Sequence, residues 1–337
     1  MNMKVLRLHN IGDLRLHDEE IPNPGQEEVL IRVKAVGICG SDLHWYSESG
    51  IGDARLQRPL VLGHEFSGII ESGARKGQRV AVDPALPCER CEFCVQGHPN
   101  LCNGVRFAGH GETDGALRNY ISWPERYLYD LPDTISDVEG AMLEPLGVAI
   151  HAIDLAHLKP GMSIGVFGCG PIGLMILQLV RRSGATKIIA TDRLAHRVDA
   201  AWEYGADLAV QADGSGENAV VWGAAGKRGV DVAFEVAGEN PAIETAVIAA
   251  KPGGKVMLVG IPAEDHISFT ASTARRKGLT VKFVRRMKHV YPRAIALVAQ
   301  KQVDVASLVT QTFTIADYQK AFETAIDRQG LKVVITL

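Results

Sequence analysis

The sequence predicts an α/β protein in two parts, a β-rich part and a part built on a doubly wound parallel sheet. Three observations carry this. Short runs rich in β-branched residues, broken by Gly, Pro and Asn, crowd the first third of the chain. From Ser163 onward, apolar strands alternate with helical patterns, the signature of βαβ units. The chain has 337 residues, which at about 150 residues per domain makes two domains the expectation.

The first part takes its strands from Met3 to Leu8, Glu28 to Val36, Glu65 to Glu71 and Arg79 to Val82. In the second, Ser163 to Phe167, Lys187 to Thr191, Val230 to Glu235, Lys255 to Val259 and Leu279 to Phe283 read as strands. Helical patterns lie at Ile172 to Arg182 and Arg193 to Tyr204. Pro292 to Gln302 and Ile315 to Asp327 are expected as further helices, with a closing strand over Lys332 to Leu337. The character changes near residue 145.

Composition excludes several classes. With 36 basic and 39 acidic residues the formal charge is −3, which gives no electrostatic reason to expect nucleic acid or an anionic membrane as partner. The N-terminus lacks the apolar stretch of a secretory signal, and the most apolar run, Ile164 to Val180, is interrupted by glycines and a proline. A soluble cytoplasmic protein is the expectation. Four of the 6 cysteines fall between positions 88 and 102, which in a cytosolic chain points to metal rather than disulfides.

Gly168, Gly170 and Gly173 form G-x-G-x-x-G between an apolar strand and an apolar helix. The first glycine permits a tight turn, the second admits a pyrophosphate close to backbone, and the third lets helix and strand pack. Pro171 and Ile172 open the helix, whose free N–H groups and dipole favour an anion. The alternative is an ordinary strand-to-helix turn. Asp192, at the end of the next strand, stands where an acid accepts hydrogen bonds from a ribose, and it would repel a 2′-phosphate. NAD is therefore the expected cofactor, while Arg193 and Arg197 could soften that preference or simply be a solvated helix start. Val259, Gly260 and Ile261 follow a strand at the same edge, where backbone groups could meet a nicotinamide carboxamide or form a plain turn.

Cys88-x-x-Cys91-x-x-Cys94 with Cys102 offers four thiolates, the donor set of a closed structural Zn²⁺ site. A redox pair would leave two of them unexplained. A second set is dispersed: Cys39 in Gly37-Ile-Cys-Gly-Ser-Asp-Leu-His44, His64 and Glu65 in Gly63-His-Glu, and Glu144 in Glu144-Pro-Leu146. A mixed Cys, His and Glu shell with an open position is what a catalytic zinc requires.

These motifs, together with Ala149-Ile-His-Ala152, resemble the zinc-containing medium-chain alcohol dehydrogenases, and within them the polyol group of sorbitol, xylitol and L-idonate dehydrogenases. The resemblance covers nearly the whole chain in the family order. It implies a GroES-like β catalytic domain, 1–147 with 289–337, and a Rossmann NAD-binding domain, 148–288. It implies Cys39, His64 and Glu65 as catalytic zinc ligands, with Glu144 a fourth ligand or a carboxylate on the zinc-bound water. Asp42 resembles the acid that orients the ligand histidine, and Ser41 and His44 resemble the proton relay. Tyr46, Glu144 and Arg286 are the implied substrate contacts. Trp45 stands where many polyol enzymes have tyrosine, Arg285 makes the alignment of Arg286 ambiguous by one residue, and the 106–115 segment departs from the family.

The expected activity is oxidation of a secondary hydroxyl of a polyol to the ketose, in a homotetramer or dimer. An aldonate such as L-idonate, threonine or 2,3-butanediol is the alternative substrate. A zinc-free quinone reductase would lack the cysteine cluster, and a scaffold would need only that cluster. A non-catalytic NAD or zinc sensor would have lost a ligand or relay residue, and none is missing here.

Overall fold

A computed structural model describes residues 2–214, 216–263 and 265–337. The chain forms two compact units, one of Met1–Gly147 with Lys288–Leu337 and one of Val148–Met287.

The first unit is dominated by a sheet ordered Leu128–Asp130, Arg79–Val82, Glu65–Ile70, Glu28–Gly37, Lys332–Thr336 and Val309–Thr314, with Tyr120–Pro124 also paired to Glu28–Gly37. Its centre shows why the sequence chooses strand. Along Glu28–Gly37 the side chains of Val29, Ile31 and Val33 are buried while Glu28, Leu30, Arg32 and Lys34 are half-exposed, before the strand runs fully buried from Ala35. A three-stranded sheet of Asp13–Glu20, Asn2–Asn10 and Leu60–Val61 adds Val5, Leu6 and Leu8 to the same core, which Trp45, Phe66 and Phe322 also fill. The helix Tyr291–Ala299 is anchored to this unit by Tyr291, whose hydroxyl donates to the Val82 carbonyl at 2.7 Å and whose ring stacks on Tyr129.

The second unit is a six-stranded parallel sheet ordered Leu208–Gln211, Lys187–Asp192, Ser163–Phe167, Val230–Glu235, Ala250–Leu258 and Thr280–Phe283. In chain order this is 3-2-1-4-5-6, the Rossmann arrangement, whose ligand crevice lies at the carboxyl ends of strands 1 and 4. Central strands buried on both faces read as continuous apolar runs, as in Lys187–Asp192. Pro171 opens the helix Pro171–Arg182, where its missing N–H costs nothing, and Arg181 and Arg182 oppose the dipole at its end. The two-part fold expected from the resemblance is the one found.

Several elements differ from expectation. Ala250–Leu258 begins five residues before the expected Lys255 and ends one before Val259, because Val230 pairs with Ala250 across a register shift. The helix Leu143–Ala156 was not expected: it is apolar on nearly every face, and Pro145 and Gly147 interrupt any stripe. The helix expected from Arg193 starts at Ala195, since Asp192 Oδ1 accepts from Leu194 N at 2.9 Å and holds a turn there. Ile315–Asp317 is a 3₁₀ turn, and the α-helix runs Tyr318–Ile326.

Candidate active site

In the first unit the ligand atoms of Cys39, His64 and Glu65 lie within 4.8 Å of one another. Cys39 caps the helix Gly40–Glu48, and Glu65 begins its strand directly opposite Gly37. That pairing tolerates no side chain at Gly37: a Cβ there would stand 2.1 Å from Glu65 Oε2.

Asp42 ties these segments together. Its Oδ2 accepts from Cys39 N at 2.9 Å, its Oδ1 accepts from Gly63 N at 3.1 Å, and Oδ1 lies 3.5 Å from His64 Nδ1. Burial alone would raise Asp42's pKa, but His64 and the two N–H groups overcome it and hold the carboxyl below the usual carboxylate range. Burial would likewise lower His64's pKa, yet Asp42 and Cys39 drive it well above that of an ordinary imidazole. Asp42 and Cys39 thus present negative charge to this ring, which suits a bound cation.

Lys332 is the component that sequence reasoning missed. It is 5 % exposed and pairs with Glu65 Oε2. Burial would depress its pKa, but Glu65 and Cys39 raise it. The only local sign is one lysine opening the apolar run Lys332 to Leu337. Glu144 is 5 % exposed, and burial, reinforced by Glu65 and opposed by His64 and Lys332, pushes its carboxyl up to about 7.

Ser41 Oγ lies 3.5 Å from His64 Nε2, and His44, on the same helix, has Nδ1 3.1 Å from Glu48 Oε1. Among the expected substrate contacts, Glu144 feels the charges of His64 and Glu65. Tyr46 turns its ring onto Phe322, 5.2 Å between centroids, and Arg286 lies in the second unit with a left-handed φ of 54°. The 106–115 segment reaches the cluster through Phe107, whose ring lies 5.2 Å from that of His64.

The sulfurs of Cys88, Cys91, Cys94 and Cys102 also lie within 4.8 Å of one another, and all are free thiols. Backbone N–H groups of Arg90 and Cys91 lower Cys88 to about 6, so a thiolate forms readily there. Both clusters have the donors and the convergence that zinc requires, soft and closed in one, mixed in the other.

In the second unit Gly168 has φ 107° and lies so close to Ala237 N that a Cβ would come within 2.6 Å. A Cβ on Gly173 would stand 2.0 Å from the Gly168 carbonyl, which is the close helix–strand packing that the third glycine permits. A Cβ on Gly170 would meet nothing nearer than Arg197 Nη1 at 3.6 Å, so the loop's second glycine is open to a ligand with Arg197 beside it. Asp192 Oδ2 accepts from Cys169 N at 2.7 Å, which fixes the carboxylate at the rim of the glycine loop. Arg193 follows Asp192 in the turn, its carbonyl accepting from Gln211 Nε2 at 3.0 Å. Val259 and Gly260 donate to the Glu235 carbonyl at 2.8 and 3.2 Å, and Ile261 is 54 % exposed.

Comparison with known proteins identifies the family. The family model for the alcohol dehydrogenase GroES-like domain matches residues 25–133, and that for zinc-binding dehydrogenase matches residues 171–300. A sorbitol dehydrogenase of Bacillus subtilis is 35% identical over 342 residues, 99% of this chain and 97% of that one. A solved Escherichia coli oxidoreductase/dehydrogenase of unknown specificity, involved in membrane biogenesis, is 34% identical with a TM-score of 0.94, covering 100% of this chain and 99% of that one. L-idonate 5-dehydrogenase of Escherichia coli has a TM-score of 0.92 at 27% identity, again over 100% and 99%. The chain belongs to the family of zinc-binding alcohol dehydrogenases that join a GroES-like domain to a Rossmann domain.

Proposed function

We propose that this chain oxidises a secondary hydroxyl of a polyol to the ketone with NAD⁺. The observation that carries it is the convergence of the ligand atoms of Cys39, His64 and Glu65, with Asp42 behind the histidine, in a chain this similar to a sorbitol dehydrogenase. The balance is one hydride to NAD⁺ and one proton to solvent.

Zinc held by Cys39, His64 and Glu65 supplies a Lewis acid that makes a nearby hydroxyl more acidic. Asp42 keeps His64 aimed by facing its Nδ1, leaving Nε2 for the cluster. Lys332 steadies Glu65 and offsets its buried charge. The proton would leave through the Ser41 hydroxyl, which releases its own proton as it takes the substrate's, then through the coenzyme ribose to His44, steadied by Glu48. Glu144, a buried carboxyl beside His64 and Glu65, binds a neighbouring substrate hydroxyl. Simple alcohols leave that carboxyl unpaired and so react poorly. Gly168, Gly170, Pro171, Ile172, Gly173 and Asp192 hold the adenosine and pyrophosphate of NAD, and Val259 to Ile261 its nicotinamide.

Cys88, Cys91, Cys94 and Cys102 hold the structural ion. A homo-oligomer through the edge strand Thr280–Phe283 is supported by Phe283, 67 % exposed beside unpaired backbone. Among the described residues no helix is long and apolar enough to cross a membrane, and the reduced cysteines fit a cytoplasmic setting. L-Idonate is the second reading, favoured by the likeness to L-idonate 5-dehydrogenase and by Arg285 and Arg286 as carboxylate partners.

NADH formation across xylitol, sorbitol, galactitol, L-idonate, L-threonine, 2,3-butanediol and ethanol tests this. A marked preference for one polyol is expected. Equal efficiency on ethanol and a pentitol would sink the polyol assignment, and activity confined to L-idonate would move it to the second reading.

A further inference from the structure

Glu235 ends the fourth strand of the parallel sheet, and its side chain is 1 % exposed although no step above uses it. Its Oε1 accepts from two successive amides, Ala237 N at 2.8 Å and Gly238 N at 2.7 Å, folding the loop after its own strand back on itself. Its main-chain carbonyl accepts from Val259 and Gly260, the first residues beyond the fifth strand.

The loops around this carboxyl have no room for side chains. A Cβ on Gly260 would stand 2.1 Å from Gly238 N and 2.9 Å from Glu235 Oε2. One on Gly238 would stand 2.4 Å from the Ile261 carbonyl, and one on Gly168 would stand 2.6 Å from Ala237 N. The loops after the first, fourth and fifth strands therefore pack backbone against backbone, and one buried carboxyl sits where the latter two meet. Oε2 has no hydrogen-bond partner. A group left in that state is costly, and burial pushes this carboxyl up to about 7 against the pull of the N–H groups of Gly238, Ala237 and Glu239. An apolar residue would avoid the cost, so the two amide bonds to Oε1 have to justify it.

We propose that Glu235 is a positioning residue for the nicotinamide end of the coenzyme, because its carboxyl holds the 236–238 loop against Gly168 on one side and against Gly260 and Ile261 on the other. The inference rests on the reading of Val259 to Ile261 as the nicotinamide contact. Without the carboxyl, two buried amides lose their acceptor and the 236–238 loop no longer braces its neighbours. Asp192 fixes the adenosine end separately, through Cys169 N and Leu194 N.

The test measures NADH and AMP affinity by fluorescence titration and calorimetry on the zinc-loaded protein, for the unaltered chain, Glu235→Ala and Glu235→Gln. Glu235→Ala is expected to weaken NADH by about tenfold, consistent with two lost bonds to a buried acceptor, while AMP, which reaches only the Asp192 end, changes by less than about threefold. Glu235→Gln, which keeps an oxygen at the Oε1 position, is expected to restore most of the NADH affinity. Should Glu235→Ala fail to fold, Glu235→Asp withdraws the carboxylate by one carbon and reads the same contrast. Unchanged NADH affinity in Glu235→Ala, or a parallel loss of NADH and AMP, would overturn the inference alone. Failure of the unaltered chain to bind NADH would overturn the coenzyme reading together with it.

Discussion

The four-cysteine cluster and the Cys39–His64–Glu65 cluster lie in the same unit and are built in opposite ways. The first is contained in one segment, 88–102, carried by a single short helix, Glu92–Val95, and a 3₁₀ turn, Pro99–Leu101. Three of its four cysteines are half-buried, and the loop is held by hydrogen bonds within itself, such as Val95 N to the Cys91 carbonyl at 3.0 Å and His98 N to the Phe93 carbonyl at 2.7 Å. The second takes its residues from a helix cap, a turn and a strand, then surrounds them with Asp42 and Lys332, both almost fully buried. A site made of one loop needs its ion to have a shape. A site on a sheet has its shape already, and the ion adds chemistry.

Metal removal is the strongest way to break that contrast. Structural zinc contributes on the order of 10 kcal/mol to the folding of zinc-finger peptides. Chelation is therefore expected to abolish hydrogen-exchange protection across 88–102 while the strand Glu65–Ile70 keeps its own. Equal loss in both regions would show that the second cluster also depends on its ion for shape.

Lys332→Met probes the preformed site. In metal-free protein it leaves Glu65 as an unpaired buried carboxylate, with an expected cost of about 3–5 kcal/mol by denaturant unfolding. With zinc loaded the cost should shrink, since the ion neutralises Glu65. The matching change beside the other cluster, Arg90→Met on an exposed cation, should leave stability unaltered.

The smallest expected effect is pH-dependent. Glu144 has its pKa raised from 4.5 to about 7 by burial, so the folded state holds a proton that the unfolded chain releases. Its contribution to stability is fully present below pH 4.5 and is lost as pH rises through 7, amounting to about 3 kcal/mol. Metal-free Glu144→Gln should lack that component of the pH dependence between pH 5 and 7.5. An unchanged profile would mean that Glu144 is not desolvated in the way its burial indicates.

The ease with which each region is read from sequence follows the same division. The four cysteines are legible because the chelating loop is itself a short sequence pattern. The glycine loop is legible for the same reason, since Gly168 to Gly173 and the strand and helix around it are contiguous. Cys39, His64 and Glu65 are unremarkable one at a time, and only their combination within a family resemblance singled them out. Lys332 offers only the weak sign of a lysine opening an apolar terminal strand, and Glu235 is an acid ending an apolar strand, which carries none.

What the sequence by itself determined is therefore the chemistry whose partners are neighbours along the chain: the βαβ alternation, the dinucleotide turn with Asp192 at the next strand's end, and the thiolate cluster. The tertiary structure alone decided which distant groups share a buried space. It placed Lys332 on Glu65 through the pairing of Lys332–Thr336 with Glu28–Gly37, turned Tyr46 onto Phe322, and set Glu235 among three loop backbones. The reason is physical. Periodicity and turn chemistry act over a few residues, whereas the cost of burying a charge is settled by whatever the folded sheet brings beside it.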